Sequence, residues 1–411
     1  MQGMNRTYTH LVQELLEDFP CVVILGPRQC GKTTLLQQLG KGWTIHDLER
    51  QSDFETISRD PDLFFRLNPR QVALDEAQVY PDIFKSLRVA IDTHRGEAGR
   101  FIVTGSSSPQ LLRHASESLA GRVAMMEMAP FSYAEVHELS SSPMYAWLSE
   151  GGKPDIGQLL KSEARTSLQQ AHEYWFQGGY PEPWTKAKPT FWKRWRENYL
   201  QTYIQRDIAY LFPRLDRVRF QQLVRMLGSL TGTILNYSEI ARLLGISQPV
   251  ARDYLEILDG TYLWRSLPAF SKDAGKRMVK HPKGYLRDTG LAHHLLRIPK
   301  LEDLLSHPVM GHSWESMVTE EILRNLASLG IQAESSHYRT SGGAEIDLVL
   351  EGDFGILPIE IKYTQKITGR QLQGMSNFLA DFNCPLGIVI NNDLRPRQYT
   401  DNIIGIPFCC L

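Results

Sequence analysis

Residues 5–18 carry apolar positions at the spacing of one helix face, and the pattern then changes to the unbroken run CVVILG at 21–26. Such a run is too short for a core helix, and its Gly-containing end predicts a strand buried on both faces. A helical run, TTLLQQLG, follows the turn. WTIHDLE, QVALDEA and RFIVTGSSS read as three more strands, and AGRVAMMEMAPF at 120–131 as another, closed by Pro130. Apolar strands alternating with helices predict a parallel sheet covered on both faces. Residues 140–157 are rich in Ser, Gly and Pro and read as a linker. Residues 160–230 are helical in pattern, broken by the turn GGYPEP at 178–183. Residues 236–258 read helix–turn–helix, with Ser238 capping the first helix, Gly245 ending it and Ser247 opening the second. Short strands or a wing follow at 261–287. The last block predicts a helix at 313–329, strands at 344–350 and 356–363, a helix at 369–380 and a strand at 385–390. The fold class is therefore α/β, in units expected at 1–138, 139–215, 216–300 and 301–411.

Composition narrows the reading little. Of the 411 residues, 42% are apolar and 22% charged, the balance of an ordinary globular protein. The formal net charge is −1, so any surface for a polyanion must be local. No apolar run approaches the roughly 20 residues that cross a bilayer, and the opening residues do not read as a signal peptide, so no membrane partner is expected. Cys21, Cys30, Cys384, Cys409 and Cys410 make an odd set without a CxxC pair, which fits a reducing, cytoplasmic location.

The turn after the first strand carries chemistry. Gly26, Pro27, Arg28, Gln29, Cys30, Gly31, Lys32 and Thr33, with Thr34 next, fit G-x-x-x-x-G-K-[ST] between a strand and a helix. The glycines let main-chain N–H groups turn inward around phosphate, and the following helix points its positive end at the same anion. Lys32 is expected to reach the β- and γ-phosphates and Thr33 to hold Mg²⁺. The strand VALDE brings Asp75, a second Mg²⁺ ligand, and Glu76, a candidate base or water-positioning group. The tip of FIVTGSS offers Ser106 or Ser107 as a sensor of the γ-phosphate. Arg122 is a candidate stabiliser of transition-state charge, in cis or from a neighbouring subunit.

GPRQCGKTT, VALDEAQ, FIVTGSSSPQLL and SESLAGRVAMMEMAPFSYAE together resemble the AAA+ ATPases, of the archaeal and AAA_14-like type, that are joined to a DUF4143 region. The likeness continues through GGYPEP, YIQRDIAYL, PKGYLRDTGLAHHLL, WESMVTEEIL and AEIDLVLE. It implies ATP as substrate, a helical lid at 139–215 and a homo-oligomer. Gly178-Gly179-Tyr180-Pro181 matches the turn where other AAA+ proteins place a sensor Arg in the lid, but no Arg stands there, so no second sensor is assigned.

The helix–turn–helix resembles a winged helix, whose second helix presents Gln248, Arg252 and Tyr254 as candidate DNA contacts. Residues 186–219 hold nine Lys and Arg against three Asp and Glu, and residues 265–287 hold seven against one. In the second stripe Lys276, Arg277 and Lys280 are candidate phosphate contacts, with Trp264, Phe270 and Tyr285 interleaved. Solvated faces or a packing module would give the same pattern. In the last block, Glu360 and Lys362 share one face of a predicted strand, while Ile359 and Ile361 take the other. With Asp347 on the neighbouring strand and Glu315 on the preceding helix, the set resembles a PD-(D/E)XK, restriction-endonuclease-like core. Asp347, Glu360 and Glu315 would hold Mg²⁺ or Mn²⁺, and Lys362 would act on a bound water. The leading expectation is an ATP-hydrolysing protein that binds and remodels DNA, with a terminal domain that grips or cuts it. The alternatives are a nucleotide-dependent switch that binds protein, and a DNA motor with a silent nuclease fold.

Overall fold

The computed structural model describes residues 4–40, 42–106, 119–186, 188–270 and 281–411. Strands β1 (Cys21–Gly26), β2 (Thr44–Asp47), β3 (Val72–Asp75), β4 (Phe101–Ser106) and β5 (Val123–Glu127) form one sheet in the order β2-β3-β4-β1-β5. Every pairing in it is parallel. All six residues of β1 and all four of β3 are buried, as a strand covered by helices on both faces requires. The topology carries the C-terminal ends of β1, β3 and β4 to one edge, which is where a doubly covered sheet offers a crevice.

Downstream, the helices are packed more tightly than their composition suggests. The expected linker contains the helices Pro143–Glu150 and Ile156–Leu160, whose Met144, Tyr145, Leu148 and Leu159 are buried. Gly178 and Gly179 follow the helix Leu168–Gln177, and the chain re-enters a helix at Pro181. A Cβ on Gly179 would stand 2.3 Å from the Phe131 carbonyl oxygen, so only glycine lets these backbones meet. The helices Tyr237–Leu244 and Gln248–Gly260 form the helix–turn–helix, with Gly245 left-handed at φ 62° between them. Asn236, not Ser238, caps the first: its side chain accepts from the Glu239 N–H. Strands β6 (Thr233–Ile234), β7 (Trp264–Leu267) and β8 (Lys283–Leu286) pack beside it in an antiparallel sheet ordered β6-β8-β7.

The last block is a six-stranded mixed sheet of β9 (Ala333–Arg339), β10 (Glu345–Gly352), β11 (Gly355–Ile361), β12 (Gly387–Asn391), β13 (Arg397–Thr400) and β14 (Ile403–Pro407), ordered β13-β14-β12-β11-β10-β9. The helix Met310–Ser328 is buried around most of its circumference. One core joins Phe131, Tyr133 and Trp175 to Trp314, Ile404 and Phe408, so the packing crosses the positions 138/139 and 300/301 where units were expected to divide. Trp175 meets Trp314 edge to face with ring centroids 5.1 Å apart. Among the described residues no helix is long and apolar enough to cross a membrane.

Candidate functional site

The edge of the parallel sheet gathers the first group of expected residues. β1 delivers the chain into the loop 27–31, where Gln29 and Gly31 have φ of 61° and 104°. The loop is pressed from behind. A Cβ on Gly26 would lie 2.1 Å from the Met128 carbonyl oxygen. Buried Arg6 donates to the Cys30 carbonyl at 2.6 Å and the Ala129 carbonyl at 2.7 Å, and pairs with Glu135 at 2.9 Å. Cys30 is fully buried and directs its thiol at the Met128 carbonyl, 3.4 Å away. Lys32, 4% exposed, donates to the carbonyls of Gly26 and Pro27 at 3.0 and 2.9 Å, curling its ammonium over the loop. Thr34 is the next residue of the helix Lys32–Gln38 and is exposed.

The two halves of the site touch directly. The Thr33 hydroxyl donates to Asp75 Oδ2 at 2.5 Å. Thr104, one strand over, donates to Asp75 Oδ1 and stands 3.4 Å from the Glu76 N–H. Burial raises the Asp75 carboxyl despite these hydroxyls. Glu76 sits at φ 56°, ψ 45°, a left-handed conformation that a non-glycine residue holds only where its surroundings enforce it. Its carboxylate accepts from the Gln78 amide, and Gln78 in turn accepts the Ser106 N–H at 3.0 Å. Burial pushes Glu76 up, but Lys32, Gln78, Arg28 and Ser106 together outweigh it and hold the carboxyl below its ordinary range. Glu76 is thus kept ionised beside an ammonium. Arg28 turns outward, with Nε 3.0 Å from Asp207 and Nη2 3.2 Å from Glu49. A cavity of about 340 Å³ adjoins this edge, lined by Arg28, Gln78, Ser106, Tyr199, Tyr203 and Asp207 among others. Thr104, Gln78, Arg6 and Asp207 were not singled out from sequence.

These residues fit a triphosphate with its magnesium ion. The inward loop and buried ammonium suit phosphate, and the touching Thr33–Asp75 pair supplies two hard oxygens. Arg122 stands elsewhere. Val123 is level with Cys21, so Arg122 lies at the opposite end of the strands, about 20 Å along them from Lys32. It forms a two-pronged pair with Asp92 at 2.7 and 3.1 Å, and this placement removes the expected role in cis.

A second group converges in the last block. Glu315 comes from the buried helix, Glu345 and Asp347 from β10, and Glu360 with Lys362 from the end of β11. Lys362 Nζ is 2.6 Å from Glu360 and 3.5 Å from Asp347. Asp347 Oδ2 also accepts the Ile361 N–H at 2.9 Å. Sequence reading missed Lys283 on β8, whose ammonium lies 2.6 Å from Glu315, 2.8 Å from Glu345 and 3.1 Å from Asp347. Burial, then the Asp347 charge, pushes Glu315 up to about 7 and Glu360 to about 8. Burial would raise Asp347 too, but the two lysines hold it below the ordinary range. As placed, Glu315, Asp347 and Glu360 do not fit a divalent ion. Lysine nitrogens stand against their oxygens, and among the described residues no group of His, Cys, Asp and Glu is arranged to hold a metal.

Of the expected DNA contacts, Gln248 and Arg252 are exposed on the second helix of the helix–turn–helix, and Arg252 lies 5.0 Å over the Tyr237 ring. Tyr254 is not on that surface: it is buried against Phe220. Trp264, Phe270 and Tyr285 are likewise buried. Arg265 and Arg287 pair with Glu320, so the described flanks of that basic stripe face inward. Lys276, Arg277, Lys280 and Ser107 lie outside the described residues.

Family models match three stretches of the chain. Residues 18–137 match the AAA domain family, 168–302 the domain of unknown function DUF8612, and 310–411 the domain of unknown function DUF4143. The uncharacterized proteins Mb2031c of Mycobacterium bovis and Rv2008c of Mycobacterium tuberculosis are each 32% identical over 399 residues, covering 96% of this chain and 82% of theirs. Among solved structures, the Walker-type ATPase PABY2304 of Pyrococcus abyssi aligns over 70% of this chain and 94% of its own, at 17% identity and a TM-score of 0.42. The chain belongs to the family of these mycobacterial proteins, with an AAA-type ATPase domain linked through the DUF8612 region to a DUF4143 domain.

Proposed function

We propose that this protein hydrolyses ATP and couples the turnover to DNA held by its middle region. The contact of Thr33 with Asp75 at 2.5 Å carries the first half, because it closes the phosphate loop onto the acidic strand end. Lys32 and the loop N–H groups bind and orient the phosphates. Thr33 and Asp75 would hold Mg²⁺, which would supply positive charge against the transferring phosphoryl group. Glu76, kept ionised, orients the attacking water and accepts its proton. Ser106, through Gln78, fixes the rotamer of Glu76.

The test is ATP turnover set against nucleotide binding. Lys32→Ala should lose both. Glu76→Gln should keep binding while turnover falls about 10²- to 10³-fold. Wild-type turnover in either variant would end this assignment.

The DNA half rests on exposed Gln248 and Arg252 and on exposed Lys188, Lys193 and Arg194 at the start of the helix Pro189–Thr202. Arg252→Ala should weaken duplex binding and lower its salt slope by about 1. A homo-oligomer and a cytoplasmic location belong to the same reading. The five cysteines are all buried, and none forms a disulfide. In an oligomer Arg122 could serve a neighbouring site only by leaving Asp92. Exposed Leu243 on the first helix of the helix–turn–helix and exposed Val218 on the helix Arg217–Leu230 favour a second reading, a nucleotide-dependent switch that binds protein. DNA-independent ATPase activity with no salt-sensitive DNA binding would select it.

A further inference from the structure

The buried lysine of β8 stands among the carboxylates that were expected to hold a metal ion. Lys283 is 2% exposed, and its three ammonium protons face three carboxylates, Glu315, Glu345 and Asp347, at 2.6, 2.8 and 3.1 Å. An ammonium carries three donors and no acceptor, so these contacts use its capacity in full. Lys362 occupies Glu360 and approaches the other oxygen of Asp347, which the Ile361 N–H also holds. A divalent ion would need the same carboxylate oxygens at roughly 2.0–2.6 Å. It would then stand in contact with an ammonium beside the buried Asp347, where repulsion between like charges is little screened. The second oxygen of Glu360 is buried without a partner.

We propose that Lys283 is a built-in cation that takes the place a divalent metal would hold, so the DUF4143 domain binds no metal at this cluster. The arrangement has a structural consequence as well. Lys283 belongs to the central strand of the β6-β8-β7 sheet, so the same contact pins the sheet beside the helix–turn–helix to the helix Met310–Ser328 and to β10. The cluster is a charged joint between two modules, with its positive charge covalently attached to one of them. This inference is independent of the ATP and DNA readings.

The experiment is Mn²⁺ binding to the full chain without nucleotide, followed by loss of the free Mn²⁺ resonance signal. Wild type and Asp347→Asn should bind the same amount, because Asp347 is engaged by lysine and holds no metal. Lys283→Met keeps the length of the stem and removes the charge. It should gain about one equivalent of Mn²⁺, and adding Asp347→Asn should abolish that gain. Mn²⁺ bound by wild type and lost in Asp347→Asn would overturn the proposal, and this arm does not depend on any Lys283 variant folding. A folded Lys283→Met protein that gains no metal would overturn it equally. Nicking of DNA by Lys283→Met with Mn²⁺, absent in wild type, would add support.

Discussion

At the scale of single residues, the carboxylates of the candidate site depend on a hydroxyl that the sequence pattern does not mark. Thr104 donates to Asp75 and stands at hydrogen-bond range of the Glu76 N–H, so it fixes the charge on one acid and the main chain of the other. Thr104→Val keeps the shape and removes both contacts. A hydrogen bond to a charged group contributes about 1.5–3 kcal/mol, which sets the expected loss of turnover at roughly 10- to 100-fold. Nucleotide affinity should change little, since the phosphate loop is untouched. Measuring kcat and nucleotide Kd side by side checks this, and an unchanged kcat would leave Thr104 with packing alone. Sequence reading offered Ser106 or Ser107 at the same strand tip as a sensor of the γ-phosphate and gave Thr104 no part. What decides the matter is register: Leu74 pairs with Val103, which sets the next residues, Asp75 and Thr104, side by side. Register between strands far apart in sequence is set by packing, and no local pattern encodes it.

At the scale of elements, the helix Met310–Ser328 shows why charge patterning misleads. Glu315, Glu320, Glu321 and Arg324 are spread around it, as on a surface helix, yet all four are buried. Each is satisfied by a partner far away in the chain. Glu320 meets Arg265 and Arg287, Glu321 accepts the Tyr133 N–H at 2.7 Å, and Arg324 donates to the Phe131 carbonyl at 3.0 Å. The strands β1 and β3 were legible because their apolar runs are nearly continuous, and β10 and β11 because apolar and polar residues alternate along them. Strands β9 and β13 are edge strands with polar sequences and carry no such signal. The helix Pro143–Glu150 was hidden by the Ser, Gly and Pro around it, although its apolar residues make its core face. Lys283 looked like one more basic residue of a stripe; only the fold reveals three acids around it.

The pairing of Glu320 also fixes a pH dependence. Burial alone would raise its carboxyl, but Arg265 and Arg287 bring it down to about 2 from an ordinary 4.5. A carboxyl lowered by folding contributes stability above its unfolded value, and that stability is lost as pH falls through the folded one. The contribution should therefore be full above pH 4.5 and decline toward pH 2. Glu320→Gln leaves the half-buried Arg265 without its counter-charge and the buried Arg287 with Glu127 alone, and should cost about 3 kcal/mol at neutral pH. Denaturant unfolding at stepped pH should also show a shallower acid decline in the variant. Parallel profiles for the two proteins would mean that Glu320 is not the group that titrates.

At the scale of the whole molecule, the question is how the loop that grips phosphate communicates with the helices above it. The link in the structure is ionic and runs through Arg28. Its guanidinium pairs with Asp207 at 3.0 Å and with Glu49 at 3.2 Å, and Glu49 also accepts from Arg206 at 3.0 Å. Arg206 and Asp207 lie in a π-helical turn, Tyr203–Ile208, a local widening that is common at functional sites. Asp207 is the less exposed end of its pair, and burial raises its carboxyl. The side chains lie at the edge of the cavity that adjoins Ser106 and Gln78. A phosphate group entering the loop would compete with Asp207 and Glu49 for Arg28, so occupancy of the site should loosen the lid contact. The measurement is a double-mutant cycle on nucleotide Kd with Arg28→Gln, Asp207→Asn and the pair. If the contact opposes binding, Asp207→Asn alone should tighten nucleotide about 2- to 5-fold, in keeping with the modest strength of a partly exposed pair. The same change in an Arg28→Gln background should do nothing, because no guanidinium remains to be released. Additive effects would mean that lid and loop respond to nucleotide separately, and coupling would then have to pass through the buried contacts of Arg6 behind the loop.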